Sequence, residues 1–259
     1  MPKYKVGVCE SAPELIAGSP AWDGMCGRVQ REKPDLFLLN ELPFGSWAAA
    51  APVFSETGWR RTCELHEQGV ARLGDIGAPL IASSRACEVD GERVNQAFIW
   101  SSADGAEPAH TKQFFPEEEG YWEARWFTGG ERHFRVVDAG ALRVGFLLCT
   151  EVMFNEWARH YGRNGAAVLL VPRAVGKASL HRWLVAMRMA AIVSGCYVLS
   201  SNRAGTDSKG QEFGGQGWVV DPEGNVVAQT SASTPIAYHE IDTDAVAKAQ
   251  SGYPCYVRE

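Results

Sequence analysis

Three short runs in this chain, DLFLLN (Asp35–Asn40), LRVGFLLC (Leu142–Cys149) and AVLLVP (Ala167–Pro172), are apolar without alternation. A strand with one wet face alternates apolar and polar residues. An unbroken run asks for cover on both faces. A chain with several such runs must stack material on each side of its sheet. Helical stretches offer that cover at Cys63–Gly74, at Asn155–Arg163 with Asn155 as N-cap, and at Ser179–Ser194. In the last, Ser179 caps the start, Gly195 ends the helix, and Leu180, Trp183, Leu184, Met187 and Ala191 form an apolar face. Further strands are expected at Lys5–Cys9, Pro79–Ser84, Asn95–Trp100, Pro108–Lys112, Phe134–Asp138, Tyr197–Ser201, Gly217–Asp221, Val226–Gln229 and Ile236–Ile241, with Asp90-Gly91 as a hairpin turn. Gln113–Gly130, rich in Glu, Gly and aromatics, reads as a loop with a short helix. Strands interleaved with helices predict one layered α/β domain over residues 1–259, a pair of mixed sheets flanked by helices.

Charge and composition exclude several function classes. A net charge of -6 and the lack of a Lys/Arg block argue against nucleic acid and against an anionic membrane surface. No apolar run approaches the roughly 20 residues that span a bilayer. The start, MPKYKVGVCES, has no apolar signal core, so a cytoplasmic location is expected. The seven cysteines are scattered, odd in number and never in a CxxC pair, which suits reduced thiols. HExxH, GxGxxG and GxxxxGK[ST] are absent, so neither a metal nor a phosphate-bearing cofactor is expected.

The chemistry gathers at strand ends. Glu41 follows DLFLLN, Lys112 ends the strand that carries His110, and Cys149 ends VGFLLC. Singly, each has a bland reading: a core thiol, a solvated acid, a solvated amine. Jointly they supply a nucleophile, a base and a cation, the parts of covalent acyl-transfer catalysis.

In that order and context the sequence resembles the nitrilase superfamily of carbon–nitrogen hydrolases over nearly its whole length. LFLLNELPFGSW, HTKQFFPEEEGYWEARWFTGG and VGFLLCTEVMFNEWARHYGRNGAAVLLVP are similar to the family's Glu, Lys and Cys segments. SSNRAG and FGGQGWVVDPEGNVVAQ are similar to its downstream segments. The resemblance implies a four-layer α-β-β-α sandwich, a homodimer or larger homo-oligomer, and no cofactor. It implies Glu41 as general base, Cys149 as nucleophile, and Lys112 with the backbone N–H of Thr150 as oxyanion donors, the lysine charge also favouring the thiolate. Glu123 is the expected accessory glutamate, with Glu117, Glu118 and Glu119 as rivals. The implied activity is hydrolysis of a small amide through a thioester. A nitrilase or an N-carbamoyl-amide hydrolase is the alternative, and a non-catalytic interaction protein the remote one. Asn40 stands where the family commonly has Pro, and Thr150 where a larger residue is frequent. No arginine closely follows Cys149, which weighs against an N-carbamoyl amino acid. Arg173, in VPRA, reads either as a pocket-rim cation for a substrate carboxylate or as half of a structural ion pair. Trp47, Phe114, Trp122, Trp126 and Phe154 are candidates to shape an acyl pocket, or simply core.

Overall fold

A computed structural model describes residues 3–130 and 133–258. The chain runs β1 (Tyr4–Ser11), α1 (Pro20–Glu32), β2 (Leu36–Leu38), α2 (Glu56–Val70), β3 (Leu80–Val89), β4 (Glu92–Ser101), β5 (Gly105–Thr111), α3 (Glu123–Trp126), β6 (Val137–Ala139), β7 (Leu142–Phe146), α4 (Asn155–Arg163), β8 (Val168–Pro172), α5 (Leu180–Ser194), β9 (Tyr197–Thr206), β10 (Glu212–Gly214), β11 (Trp218–Val220), β12 (Val226–Gln229), β13 (Ile236–Ile241) and α6 (Thr243–Ser251). The strands pair along one path, β5-β4-β3-β2-β1-β9-β8-β7-β6, with β13 beside β1, β10 and β11 beside β9, and β12 beside β11.

The path narrows at its centre, where β1 meets β9 through only two pairs, Glu10 with Asn202 and Ser11 with Arg203. Each side therefore acts as a half-sheet, and the inner faces pack on each other. Val8, Leu38 and Ala82 from one half meet Val144, Phe146 and Leu170 from the other. Outside the first half, Trp22 and Val29 of α1 cover Phe37 and Ile81. Outside the second, Ala158 of α4 and Met187 and Ala190 of α5 cover Leu169 and Val171. These are the expected α-β-β-α layers, and they explain the unbroken apolar runs: β2 and β8 are buried at every residue.

Local differences have physical causes. The first helix escapes sequence reading because Gly24 and Gly27 dilute its helical signal; its buried face is Trp22, Met25, Cys26 and Val29, and Ser19 caps it. The second begins at Glu56 rather than Cys63, with the Ser55 hydroxyl accepting from Gly58 N–H. Asn155 is the first helical residue and not the N-cap, and Ser179 occupies the N-cap position without a side-chain capping bond. The Ser179 hydroxyl instead donates to the Gly176 carbonyl across a 3-10 turn ahead of α5 and accepts from the Trp183 indole, each at 3.1 Å. Asp90 and Gly91 turn the β3–β4 hairpin with φ of 52° and 82°, as a two-residue hairpin loop requires. At Gly145 on β7, a Cβ would lie 2.4 Å from the ring of Tyr161, so only glycine lets α4 close down on the strand. No helix among the described residues is long and apolar enough to cross a membrane.

Candidate active site

The strands β2, β5 and β7 end within a few residues of Glu41, Lys112 and Cys149, and the layered packing brings those ends together. The Lys112 ammonium, fully buried, donates to Glu41 Oε1 at 2.7 Å and to Glu123 Oε2 at 2.5 Å. Asn95, from the neighbouring β4, donates to the same Glu41 oxygen at 2.9 Å. Glu123, at the start of α3, is thus the acid that reaches Lys112. Glu117 pairs with Arg125 at the surface, and Glu118 and Glu119 are exposed.

The loop that carries Glu41 is pinned from several sides. Ser83 donates to the Asn40 carbonyl, Leu42 N–H donates to Ser84, and the Asn40 amide donates to the Glu41 carbonyl. Buried Arg203 donates to the carbonyls of Leu42 and Gly45. Asn40 therefore fixes by side-chain bonds the turn for which the family pattern suggested proline.

Cys149 opens a 3-10 turn, Cys149–Met153, with φ of 48°. That conformation is uncommon for a residue with a Cβ and is held only where surroundings demand it. Glu151 makes the demand. Its carboxylate accepts from the N–H of Leu148 at 2.8 Å, from the N–H of Gln113 at 2.6 Å, and bonds His110 Nε2 at 2.8 Å. One buried acid thus ties the residue before the cysteine to the residue after the lysine.

The electrostatics follow from two carboxylates and one ammonium in a dry site. Burial works against the charge on Lys112, but Glu123 and Glu41 outweigh it and raise its pKa above the usual lysine range. Burial, against the pull of Lys112 and with the Glu41 charge adding to it, pushes Glu123 up to about 7. Burial and the Glu41 charge also raise the Cys149 thiol well above its ordinary value, with Lys112 only partly opposing them. The lysine does pull towards the thiolate, as expected, but burial and Glu41 outweigh it. Two buried carboxylate oxygens, Glu41 Oε2 and Glu123 Oε1, have no hydrogen-bond partner among the described residues.

A cavity of about 170 Å³ opens onto Cys149, lined among others by Glu118, Tyr121, Glu123, Thr150, Arg182 and Trp183. Of the candidate site residues, Cys149, Thr150 and Glu123 are among the lining residues. Arg173, Trp122 and Phe154 are not among the lining residues. The Arg173 guanidinium turns into the sheet, donating to Ser200 Oγ at 2.9 Å and to the Gln216 carbonyl and lying 4.0 Å from the Trp218 ring centre. It forms no ion pair among the described residues, so neither a rim cation nor an ion-pair partner describes it. Trp122 carries the Arg125 guanidinium on its ring, and Phe154 packs on Phe114. Trp47 and Trp126 are core. The aromatic walls are Tyr121 and Trp183, which the sequence did not single out as pocket residues because an aromatic in a loop or on a helix does not show which way it faces.

A family model of carbon-nitrogen hydrolases matches residues 98–250, more than half of the chain and inclusive of Lys112, Glu123 and Cys149. The chain belongs to the carbon-nitrogen hydrolase family. A deaminated glutathione amidase from Synechocystis sp. is 27% identical over 141 residues, 54% of this chain and 52% of that protein. The chain spans between about a third and about half the length of the curated relatives it matches. The fold matches that of a carbon-nitrogen hydrolase from Helicobacter pylori with a TM-score of 0.85 at 21% identity, covering 98% of this chain and 94% of that one. An amidase from Nesterenkonia sp., solved as a variant with acrylamide added at its active-site cysteine, matches with a TM-score of 0.77 at 18% identity, over 96% and 97% of the two chains.

Proposed function

We propose that this carbon-nitrogen hydrolase is an amidase that cleaves small amides through a thioester on Cys149. The observation that carries the reading is the buried bridge in which Lys112 joins Glu41 and Glu123 beside the cysteine. Because burial and the Glu41 charge raise the Cys149 thiol well above its ordinary value, attack needs a base at the moment of reaction. Glu41 takes the proton through its unpartnered oxygen as sulfur bonds to the carbonyl carbon. The carbonyl oxygen becomes an oxyanion held by the Lys112 ammonium and the Thr150 N–H. Collapse breaks the carbon–nitrogen bond, and Glu41 returns its proton to the departing ammonia or amine. Water then gives a proton to Glu41 and attacks the thioester, releasing the acid and restoring the thiol.

Glu123 supports an amide over a nitrile. Its buried, unpartnered oxygen belongs to a residue that lines the cavity and suits an amide N–H, which a nitrile does not have. A site built to bond such a group discriminates against ligands lacking it. The test is ammonia release from matched amide, nitrile and ureido compounds by the intact protein and by Cys149→Ala. Amide turnover that vanishes in the variant is expected; turnover that persists without the sulfur would exclude the thioester. A homo-oligomer is part of the same proposal, supported by the exposed Val185 and Met189 on α5 and by Tyr253 in the tail; sedimentation at micromolar concentration checks it.

A further inference from the structure

The cavity mouth carries two charges of opposite sign. Arg182, on the first turn of α5, and Glu118, in the loop before α3, both line the same space as Cys149. Arg182 is the only Lys or Arg among the lining residues. Neither side chain has a hydrogen bond or ion pair with any described residue, although the nearby Glu117 and Arg125 pair with each other at 2.9 Å. On this surface some complementary charges pair, as Arg60 does with Glu56 and Arg72 with Asp75, while others, Arg182 and Glu118 among them, do not. At the mouth they stay apart and both border the substrate space. The first turn of α5 contains no acid to compete for the guanidinium.

We propose that Arg182 and Glu118 read the two ends of an amino-acid head group, so that the substrate is the side-chain amide of a short zwitterionic amino acid. This rests on the amidase reading above and gives it a substrate class. The guanidinium presents a planar fork that matches a carboxylate. The Glu118 carboxylate matches an ammonium. A mouth with one charge of each sign favours a zwitterion over a ligand with a single charge, which would leave one side chain facing its own sign or nothing. The inner end of the space, at Cys149 and Glu123, takes the amide. A space of about 170 Å³ between the mouth and Cys149 admits a short chain. The carboxylate recognition that is one of the two sequence readings of Arg173 thus falls to the arginine nine residues further on.

The experiment measures kcat/KM on four amides of similar length: glutamine, the monoamide of glutaric acid, 5-aminopentanamide and pentanamide. Wild type should prefer glutamine to each of the other three by at least tenfold. Arg182→Gln should lower kcat/KM for glutamine and the glutaric monoamide at least tenfold relative to 5-aminopentanamide. Glu118→Gln should lower it for glutamine and 5-aminopentanamide at least tenfold relative to the glutaric monoamide. Equal losses on all four amides, no change in either ratio, or a wild-type preference for any singly charged or neutral amide overturns the proposal. Cys149-dependent turnover of pentanamide keeps the amidase reading intact in that event. If none of the four is hydrolysed, the amidase reading fails, and calorimetric binding of glutamine against pentanamide to Cys149→Ala still decides the head-group inference: equal affinity or no binding of glutamine overturns it.

Discussion

Lys112 and Arg173 are both fully buried cations, each at or next to the end of a strand, yet the protein treats them in opposite ways. Lys112 lies between two carboxylates, and its hold on the proton is strengthened. Arg173 has a hydroxyl, a carbonyl and an indole face for company, and burial lowers its pKa to about 9. A cation that has given up water is costly unless an anion replaces it. Where the anion is supplied, the charge is tightly held and available for chemistry. Where the hydrogen-bond partners are neutral and an acid acts only from further off, the side chain fills space and ties strands together.

The same substitution at both positions tests this contrast most directly, and Lys112→Met should show the largest effect. Amide turnover should fall about 10³-fold through loss of an oxyanion donor. Stability should drop by about 3–5 kcal/mol, because Glu41 and Glu123 are left buried and facing each other. Adding Glu123→Gln to Lys112→Met should recover part of the stability and none of the turnover. A melting curve and a progress curve for each variant suffice, and a Lys112→Met protein with near-normal rates would sink the assigned role.

The next effect is in the pH dependence. Folding raises Glu123 from 4.5 to about 7. Between those values the folded protein keeps a proton that the unfolded chain has released. The contribution of this group to stability therefore falls as pH rises through that window, by about 3 kcal/mol in all. Denaturant titrations at pH 4.5, 6 and 7.5 should show the loss in wild type and not in Glu123→Gln. Activity should climb over the upper part of the same window as the carboxylate ionises and becomes able to accept the amide N–H.

Glu151→Gln comes third. A Gln amide keeps one acceptor oxygen and puts an NH2 in place of the other, so it opposes either the Gln113 N–H or the Leu148 N–H and His110, and the lysine and cysteine segments should lose register. A roughly tenfold fall in kcat, about 1.4 kcal/mol, is expected. Single-turnover kinetics should place the loss in acylation, and an unchanged acylation rate would reduce Glu151 to a fold-stabilising role. Arg173→Met should do least. It keeps the volume, removes an expensive charge and leaves the cavity lining untouched, so stability should change by less than about 1.5 kcal/mol. The kcat/KM values for acidic and neutral amides should keep their ratio; a selective loss on acidic amides would restore the carboxylate-binding reading of Arg173.

Much of the site was legible in the chain because strand ends are local features. An apolar run that stops at Glu41 or Cys149 announces both the strand and the residue that leaves it. Glu123, the acid that reaches Lys112, was harder to tell from Glu117, Glu118 and Glu119, since spacing within an irregular loop fixes no direction. Asn95, Arg203 and Glu151 were legible only as parts of strands or motifs. Their tasks, bonding Glu41, holding its loop and joining Lys112 to Cys149, run between segments far apart in sequence.

The sequence by itself determined the layered α/β class, because unbroken apolar strands admit no wet face, and it determined the chemical types at the strand ends. Tertiary structure decided which of those groups share a dry space and which arginine faces it. Arg173 and Arg182 are nine residues apart and alike as side chains. One continues a buried strand and is turned into the sheet onto Trp218; the other starts a helix whose first turn borders the cavity. Direction and burial are properties of the packed layers, and no local pattern of residues carries them.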